Sequence, residues 1–339
     1  MAGCFRAVQS PQSEIRSALI CRVDLSDWTS SFTCNRMKAD PLVSVVIPTL
    51  RRPDMVVRAV HSVLQQSFRD LEIVVVIDGD DGQSADALKS ISSPQLRVLQ
   101  LPTQVGGSRA RNEGVLASRG EWVAFLDDDD LWFPKKLEKQ LPVASASKAP
   151  EPIVACQVVA HTASGDFLWP RKIPSGPLSE YLLARNSWSQ GENLLQTSTL
   201  VASRRLLLKV GFEDGLQKHQ DWDWLLRAIR VPGTKIEFVD EPLAVWNLEP
   251  SRSSVSRTYD WQGSLAWIRS RRELVTRRAY AGFIATQVAS QAARQKQWRA
   301  FLPLLTEMFQ IGRPKAIDIF LLLGMWFVPD SLRQWLRSS

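Results

Sequence analysis

The distribution of apolar positions becomes regular at Pro41 and predicts an alternation of strands and helices. Leu42 to Ile47 is a short, mostly apolar run, Asp54 to Gln66 has its apolar residues at helical spacing, and Leu71 to Ile77 is again an apolar run, broken only by Glu72. The pattern continues with a helix at 84–91, a strand near 97–101, a helix at 108–118 and a strand at 122–126. Because apolar strands joined by helices are typical of sheets covered on both faces, we expect an α/β fold with a mostly parallel sheet.

The pattern also predicts a domain organisation. One α/β domain occupies residues 37–248, with a first half at about 41–135 and a second half at about 150–248, and a helical, basic region follows at 249–339. Residues 1–36 have little periodicity and several Ser and Gln. Two interpretations of this first segment stay open: a disordered tail, or a start codon assigned upstream of a true first residue at Met37.

Charge distinguishes the C-terminal quarter from the rest. The 339 residues carry a net charge of +7, but residues 251–339 hold 14 Lys and Arg against 5 Asp and Glu, which leaves 28 against 30 for residues 1–250. No basic and aromatic residues alternate on a motif of a nucleic-acid-binding fold, so we expect no nucleic-acid partner. The chain shows no signal-peptide pattern, its longest apolar run is about half of a membrane span, and its four cysteines have no metal spacing. These features predict a cytoplasmic protein.

Polar loops follow three of the predicted strands. They are Pro48-Thr49-Leu50-Arg51, Asp78-Gly79-Asp80-Asp81 and Asp127 to Asp130. In such sheets ligands bind beyond the carboxyl ends of the strands. An isolated Asp-Asp pair is usually a solvated loop or a helix cap, whereas three such loops at one edge indicate a bound divalent cation, Mg²⁺ or Mn²⁺.

The order of these blocks resembles the family 2 glycosyltransferases. The resemblance rests on "VSVVIPTLRRPDMVVRAVHSVLQQSF", "LEIVVVIDGDDG", "GGSRARNEGVLASRGEWVAFLDDDDLWFPKKLEKQ" and "QDWDWLLRAI", and it runs from about Pro41 to Trp246. It implies the GT-A fold, which is Rossmann-like, with a nucleotide-sugar half and an acceptor half. It also implies that a sugar is transferred from a nucleoside diphosphate donor with inversion at the anomeric carbon.

The resemblance assigns donor and metal ligands to the three loops. The Asp-x-Asp motif falls on Asp127-Asp128-Asp129, where Asp129 should bind the metal with help from Asp127, and where Asp127 and Asp128 should hold the ribose and diphosphate. Asp78 matches the aspartate that contacts uracil. In the first loop, Pro48 and Thr49 lie where the base is touched, and Arg51 takes the place of an Asn. The sequence departs from the family at Leu50-Arg51, which replaces Tyr-Asn, and at Ile77-Asp78-Gly79, where Asp-Asp-Gly is usual.

Two arginines beside the glycine loop are further candidates. Arg109 and Arg111 follow Gly106-Gly107, and arginine forks match diphosphate oxygens. Arg111 is the stronger candidate because it lies in the family-like "ARN" triplet. The alternative for both residues is a solvated helix face.

The resemblance places the catalytic base at Asp221. An inverting transferase needs a carboxylate that removes the proton from the acceptor hydroxyl. The family's Glu-Asp motif falls here on Gln220-Asp221, so the first residue departs from the pattern. The alternative is that Asp221 caps the helix that begins here. Trp169, Trp188, Trp222 and Trp224 are either stacking surfaces for sugar rings or ordinary core residues.

The sequence therefore predicts a metal-dependent transferase that uses a nucleotide sugar and a saccharide or lipid-linked saccharide acceptor, in bacterial surface polysaccharide synthesis. The rival interpretation is a non-catalytic sugar-nucleotide binder with the same fold. The C-terminal quarter combines arginines with the apolar segment Ile317 to Val328 and with Trp326 and Trp335. We expect either peripheral contact with the inner face of the cytoplasmic membrane or packing of this segment on the catalytic domain.

Overall fold

The structure is a computed structural model that describes residues 40–162, 164–187, 191–248 and 260–328. The expectations for residues 1–36, Trp188 and Trp335 therefore lie outside the described residues. Within the described residues, the elements follow the alternation that the apolar pattern predicts, with boundaries that differ by about two residues.

The first half is a parallel α/β unit. Its strands are β1 (Val43–Thr49), β2 (Leu71–Ile77), β3 (Leu96–Gln100) and β4 (Trp122–Phe125), and its helices are α1 (Pro53–Leu64), α2 (Gly82–Lys89) and α3 (Gly107–Ala117). β1 pairs in parallel with β2 and β4, and β2 pairs in parallel with β3. All seven residues of β2 are buried, which explains why its sequence is apolar at every position except Glu72.

The second half makes the sheet mixed. It contains β5 (Leu131–Trp132), α4 (Lys136–Ala146), β6 (Glu151–Thr162), β7 (Gly165–Trp169), α5 (Leu178–Leu183), β8 (Val201–Ser203), α6 (Arg204–Val210), α7 (Gln220–Ala228) and β9 (Thr234–Asn247). The sheet order is β3-β2-β1-β4-β8-β6-β9-β5, and β7 pairs with β6. β8 is antiparallel to β4 and β6, whereas β9 is parallel to β6. The expected parallel order thus holds across β1 to β4 and for β6 with β9.

The C-terminal helices share one hydrophobic core with the sheet domain. They are α8 (Trp261–Ser270), α9 (Arg277–Phe283), α10 (Ala289–Arg294), α11 (Phe301–Gln310) and α12 (Ala316–Phe327), with a π-helical turn at Ile284–Val288. Trp267, Phe283 and Trp326 belong to the same buried cluster as Phe125 and Trp224. Among the described residues, no helix is both long and apolar enough to cross a membrane.

A buried carboxylate joins α7 to α8. Asp223 is fully buried, and its two oxygens accept hydrogen bonds from Arg227 Nε at 2.7 Å, Arg271 Nε at 2.6 Å and Trp267 Nε1 at 3.0 Å. Burial alone would raise the pKa of Asp223, but the hydrogen bonds from Arg271, Trp267 and Arg227 lower it. Asp223 thus fixes the helix that carries Asp221 to the C-terminal helices.

We expect Asp223→Ala to lower the free energy of unfolding by about 3–5 kcal/mol, because it leaves two arginines without their buried counter-charge. Urea denaturation followed by circular dichroism measures this change. Asp86→Ala, which removes one half of an exposed pair with Lys89, is the control and should change stability little. A loss as small as that of the control would show that α7 is held by apolar packing alone.

Candidate active site

The carboxyl ends of β1, β2 and β4 lie side by side at one edge of the sheet. Thr49 is in register with Ile77, and Val46 with Phe125, so the residues that follow these strands meet at this edge. The structure therefore brings together the three polar loops that the sequence singles out. The loop that follows β4, residues 127–130, is called the acidic loop below.

Asp128 is the buried centre of the acidic loop. Its Oδ2 accepts a hydrogen bond from Thr49 Oγ1 at 2.8 Å, and its Oδ1 lies 2.8 Å from Arg52 Nη1. Burial raises the pKa of Asp128 to about 6, while the charge of Arg52 opposes the rise. Thr49, the predicted base contact, thus holds the acidic loop against β1.

Asp130 anchors the acidic loop to the interior of the domain. Its side chain is 1% exposed and accepts hydrogen bonds from Ser198 Oγ at 2.7 Å, Gln196 Nε2 at 2.5 Å and Asn247 N at 3.2 Å. Asn247 also donates from Nδ2 to the backbone oxygen of Asp129 at 2.6 Å. Burial, with the charges of Asp127 and Asp129, raises the pKa of Asp130 well above its ordinary value. The carboxylates of Asp127 and Asp129 are left partly exposed, at 27% and 22%.

Arg111 connects the acidic loop to α7. Its Nη2 lies 2.5 Å from Asp127 Oδ1, and its Nη1 donates to Gln220 Oε1 at 2.7 Å. The side chain is buried, with its guanidinium over the ring of Phe212. Arg109 instead pairs at the surface with Glu113 and Asp214, as the solvated-helix interpretation predicts. Contact of Arg111 with a diphosphate stays a prediction.

Asp221 lies in the first turn of α7, next to Gln220. The residue in the N-cap position is His219, whose backbone is left-handed with φ of 64°, so Asp221 is not the N-cap of α7. Its Oδ1 accepts a hydrogen bond from Trp222 N at 2.9 Å. Burial raises the pKa of Asp221 to about 6, and the positive charge of Arg111 partly offsets this effect. A carboxylate with such a pKa is suited to accept a proton near neutral pH.

The predicted contacts to the base occupy the other two loops. Asp78 is buried, and its carboxylate accepts hydrogen bonds from Val105 N at 2.7 Å and Gly106 N at 2.9 Å, which fixes the glycine loop before α3. Pro48, near the end of β1, is partly buried. Arg51 has a positive φ of 53°, and its backbone N lies 2.5 Å from Asp81 Oδ2. Its side chain is exposed at the edge of the sheet.

Trp169, Trp222 and Trp224 are each expected from the sequence to be either a stacking surface for a sugar ring or a core residue. Trp224 is fully buried in the core, and Trp169 is 8% exposed and packs beside Trp246. Both are core residues. Trp222, next to Asp221 in the sequence, is only partly buried and stacks on His219, so its role as a stacking surface for a sugar ring stays a prediction.

Arg52 is a site residue that the sequence reasoning missed. Its position directly after the first polar loop is the one signal in the sequence, but alignment with the family's motif points to Arg51, which takes the place of the Asn. In the structure Arg52 Nη1 contacts both Asp128 and Asp129. Among the described residues, no three His, Cys, Asp or Glu side chains are grouped as a metal-binding cluster.

The chain is similar in sequence to known glycosyltransferases. Residues 44–211 match the family model described as Glycosyl transferase family 2. The amylovoran biosynthesis glycosyltransferase AmsB of Erwinia amylovora is 27% identical over 245 residues, covering 69% of this chain and 79% of AmsB. The succinoglycan biosynthesis protein ExoO of Rhizobium meliloti is 25% identical over 274 residues, covering 79% of this chain and 78% of ExoO.

Two solved structures share the fold. TarS of S. aureus in complex with UDP-GlcNAc has a TM-score of 0.51 at 18% identity, covering 84% of this chain and 79% of that one. The mannosyltransferase PcManGT of Pyrobaculum calidifontis in complex with GDP-Man and Mn²⁺ has a TM-score of 0.50 at 15% identity, covering 86% and 88%. The fold is therefore the GT-A fold, as the sequence predicted. The chain belongs to the family 2 glycosyltransferases.

Proposed function

We propose that this glycosyltransferase transfers a sugar from a nucleoside diphosphate to a saccharide or lipid-linked saccharide, with inversion at the anomeric carbon. One observation carries the proposal: Arg111 joins Asp127 of the acidic loop to Gln220, the neighbour of Asp221. The acidic loop, which is suited to hold a donor, is thus linked through Arg111 to the start of α7, where Asp221 is suited to activate an acceptor.

The proposed reaction is a direct displacement. The acceptor hydroxyl oxygen attacks the anomeric carbon, the bond from that carbon to the diphosphate oxygen breaks, and the nucleoside diphosphate leaves. Asp221 accepts the hydroxyl proton as the new bond forms. The backbone N of Trp222 donates to this carboxylate, and Arg111 binds the neighbouring Gln220. The glycine loop held by Asp78 lets the donor approach the backbone closely.

The acidic loop fits a divalent cation by the chemistry of its donor groups. Mg²⁺ and Mn²⁺ take oxygen ligands, commonly one or two carboxylates together with substrate phosphates, so a cluster of three protein carboxylates is not required. Asp129 and Asp127 would supply the carboxylates. When bound, the cation would offset the negative charge that develops on the leaving diphosphate.

The biological setting is inferred from the relatives. AmsB and ExoO are named for the biosynthesis of amylovoran and succinoglycan. TarS and PcManGT were solved with UDP-GlcNAc and GDP-Man, which supports a nucleotide-sugar donor and leaves the base open among uracil, guanine and thymine. We therefore propose a role in bacterial surface polysaccharide synthesis on the cytoplasmic side.

The proposal is tested by screening the purified chain against nucleotide sugars with Mn²⁺, measuring both thermal shift and nucleotide release. Stabilisation together with release of the nucleoside diphosphate supports a transferase. Stabilisation by a donor without release, with saccharide acceptors present, would favour the non-catalytic binder.

The rate should depend on the protonation of Asp221. Because burial raises the pKa of Asp221 to about 6, we expect kcat/KM to fall about tenfold for each pH unit below that value and to level off above it. Nucleotide release measured between pH 4.5 and 8 at saturating Mn²⁺ checks this. A rate that stays constant down to pH 4.5 would show that no carboxylate with this pKa takes the proton.

We also propose a peripheral contact of the C-terminal helices with an anionic membrane surface. α12 buries Leu321, Leu322 and Trp326, which agrees with the packing alternative, but Phe327 is 61% exposed. The ring of Phe327 lies 5.9 Å from that of Trp298, which is itself 55% exposed. Two basic residues close to Trp298 in the sequence, Lys296 and Arg299, are also exposed.

This surface should bind anionic vesicles in a salt-sensitive way. We expect Lys296→Glu with Arg299→Glu to reduce co-sedimentation with phosphatidylglycerol vesicles at least about tenfold, since each basic residue contributes about 1 kcal/mol and each reversal adds repulsion. The control reverses Arg58 and Arg69 on the sheet domain. Equal binding by both double variants would leave packing on the domain as the only role of these helices.

A further inference from the structure

Two arginines pair with carboxylates of the acidic loop. Arg111 pairs with Asp127, and Arg52 pairs with the buried Asp128 and the partly exposed Asp129: its Nη1 lies 2.8 Å from Asp128 Oδ1 and 3.3 Å from Asp129 Oδ2. Arg52 therefore lies against the carboxylate that the proposed function gives to a divalent cation.

The position of Arg52 is not explained by its helix. Arg52 is the N-cap of α1 and makes no side-chain capping bond, and Pro53 follows at the first helical position. A cation at a helix N-terminus is opposed by the helix dipole, so α1 does not favour an arginine here. The carboxylates of Asp128 and Asp129 supply the compensating attraction. The Arg52 guanidinium is thus held by two carboxylates that could also bind a divalent cation.

A divalent cation and Arg52 compete for the same oxygens. Mg²⁺ and Mn²⁺ bind carboxylates at about 2.0–2.2 Å, so an ion on the Asp129 carboxylate would stand beside the guanidinium and repel it. A diphosphate offers the opposite charge, and arginine forks match its oxygens. The diphosphate of a bound donor could thus pair with Arg52 when the cation binds the Asp129 carboxylate.

We propose that Arg52 is a displaceable counter-ion of the acidic loop. Without donor it pairs with Asp128 and Asp129, and when donor and cation bind together the cation takes Asp129 and the guanidinium moves to the diphosphate. This inference rests on the proposed function. It predicts that the cation binds weakly alone and tightly with a nucleoside diphosphate, and that each ligand tightens the other by the same factor.

Mn²⁺ binding, followed by the electron paramagnetic resonance signal of the free ion, tests this exchange. Wild type and Arg52→Gln are titrated with Mn²⁺ alone and with saturating UDP or GDP. For Mn²⁺ alone, Arg52→Gln should bind about tenfold more tightly, because one nearby positive charge is gone. The factor by which the nucleotide tightens Mn²⁺ binding should fall at least about fivefold in the variant.

Matched variants separate displacement from other effects. Arg58→Gln removes the same charge from the exposed face of α1 and should behave as wild type. Arg52→Lys keeps the charge and should stay close to wild type, while Arg52→Met keeps the aliphatic stem and should reproduce both changes seen with Gln. Circular dichroism of each variant confirms that the fold is retained, and Met serves if Gln does not fold.

Mn²⁺ binding to Arg52→Gln or Arg52→Met that is no tighter than to wild type would overturn the inference, as would an unchanged effect of the nucleotide. If the wild type transfers sugar but the Arg52 variants give either of these results, the proposed function stands and the displacement of Arg52 is wrong. A wild type without any nucleotide-sugar turnover would contradict the proposed function instead.

Discussion

Asp221→Asn should lower the rate of sugar transfer by about 10²- to 10⁴-fold while donor binding stays intact. The amide has nearly the shape of the carboxylate but cannot accept the proton of the acceptor hydroxyl, and a positioned general base commonly contributes this factor. Asp221 does not occupy the N-cap position of α7, so the substitution should leave the helix in place. Nucleotide release gives the rate, and titration with the nucleoside diphosphate gives donor affinity.

Asp214→Asn is the matched control for this change. The substitution removes one carboxylate whose side chain is 52% exposed and pairs with Arg109. We expect its transfer rate to equal that of the wild type. If Asp221→Asn also kept the wild-type rate, Asp221 would be a structural residue of the first turn of α7.

Asp129→Asn should lower the transfer rate at least about 10²-fold by a different route. The partly exposed Asp129 carboxylate is the acidic-loop ligand to which the cation is assigned, and a metal ion at a leaving group is worth several kcal/mol. The loss should appear in donor binding as well, because the diphosphate then lacks part of its counter-charge. Rates and nucleotide affinities measured at increasing Mn²⁺ concentrations separate the two effects.

Asp86→Asn, on the exposed face of α2, controls for the loss of one negative charge. It should leave both donor affinity and its dependence on Mn²⁺ unchanged. Full activity of the wild type in excess chelator would contradict the assignment of Asp129 to a metal.

The sequence predicted the first half of the fold well because β1, β2 and β4 are buried on both faces and are therefore mostly apolar, with only a few buried polar residues such as Ser44 and Glu72. It predicted the second half less well. β6 and β9 pair in parallel across more than 70 residues of chain, and the short β8 inserts antiparallel between β4 and β6, an order that no local pattern contains.

The same limit applies to the site. The acidic loop and Asp221 could be found from motifs, but the partners that hold them could not. Gln196, Ser198 and Asn247 meet Asp130 only because the sheet brings distant segments together. Alignment to the motif points to Arg51 and not to Arg52, because it ranks residues by position and takes no account of which side chain reaches the carboxylates.

The central claim is direct displacement at the anomeric carbon, and the configuration of the first product tests it. In the absence of acceptor, slow hydrolysis of an α-linked nucleotide sugar with Mn²⁺ can be followed by proton NMR before the free sugar equilibrates. Displacement with inversion should release the β anomer first, and Asp221→Asn should slow this release. Release of the α anomer first would contradict displacement with inversion.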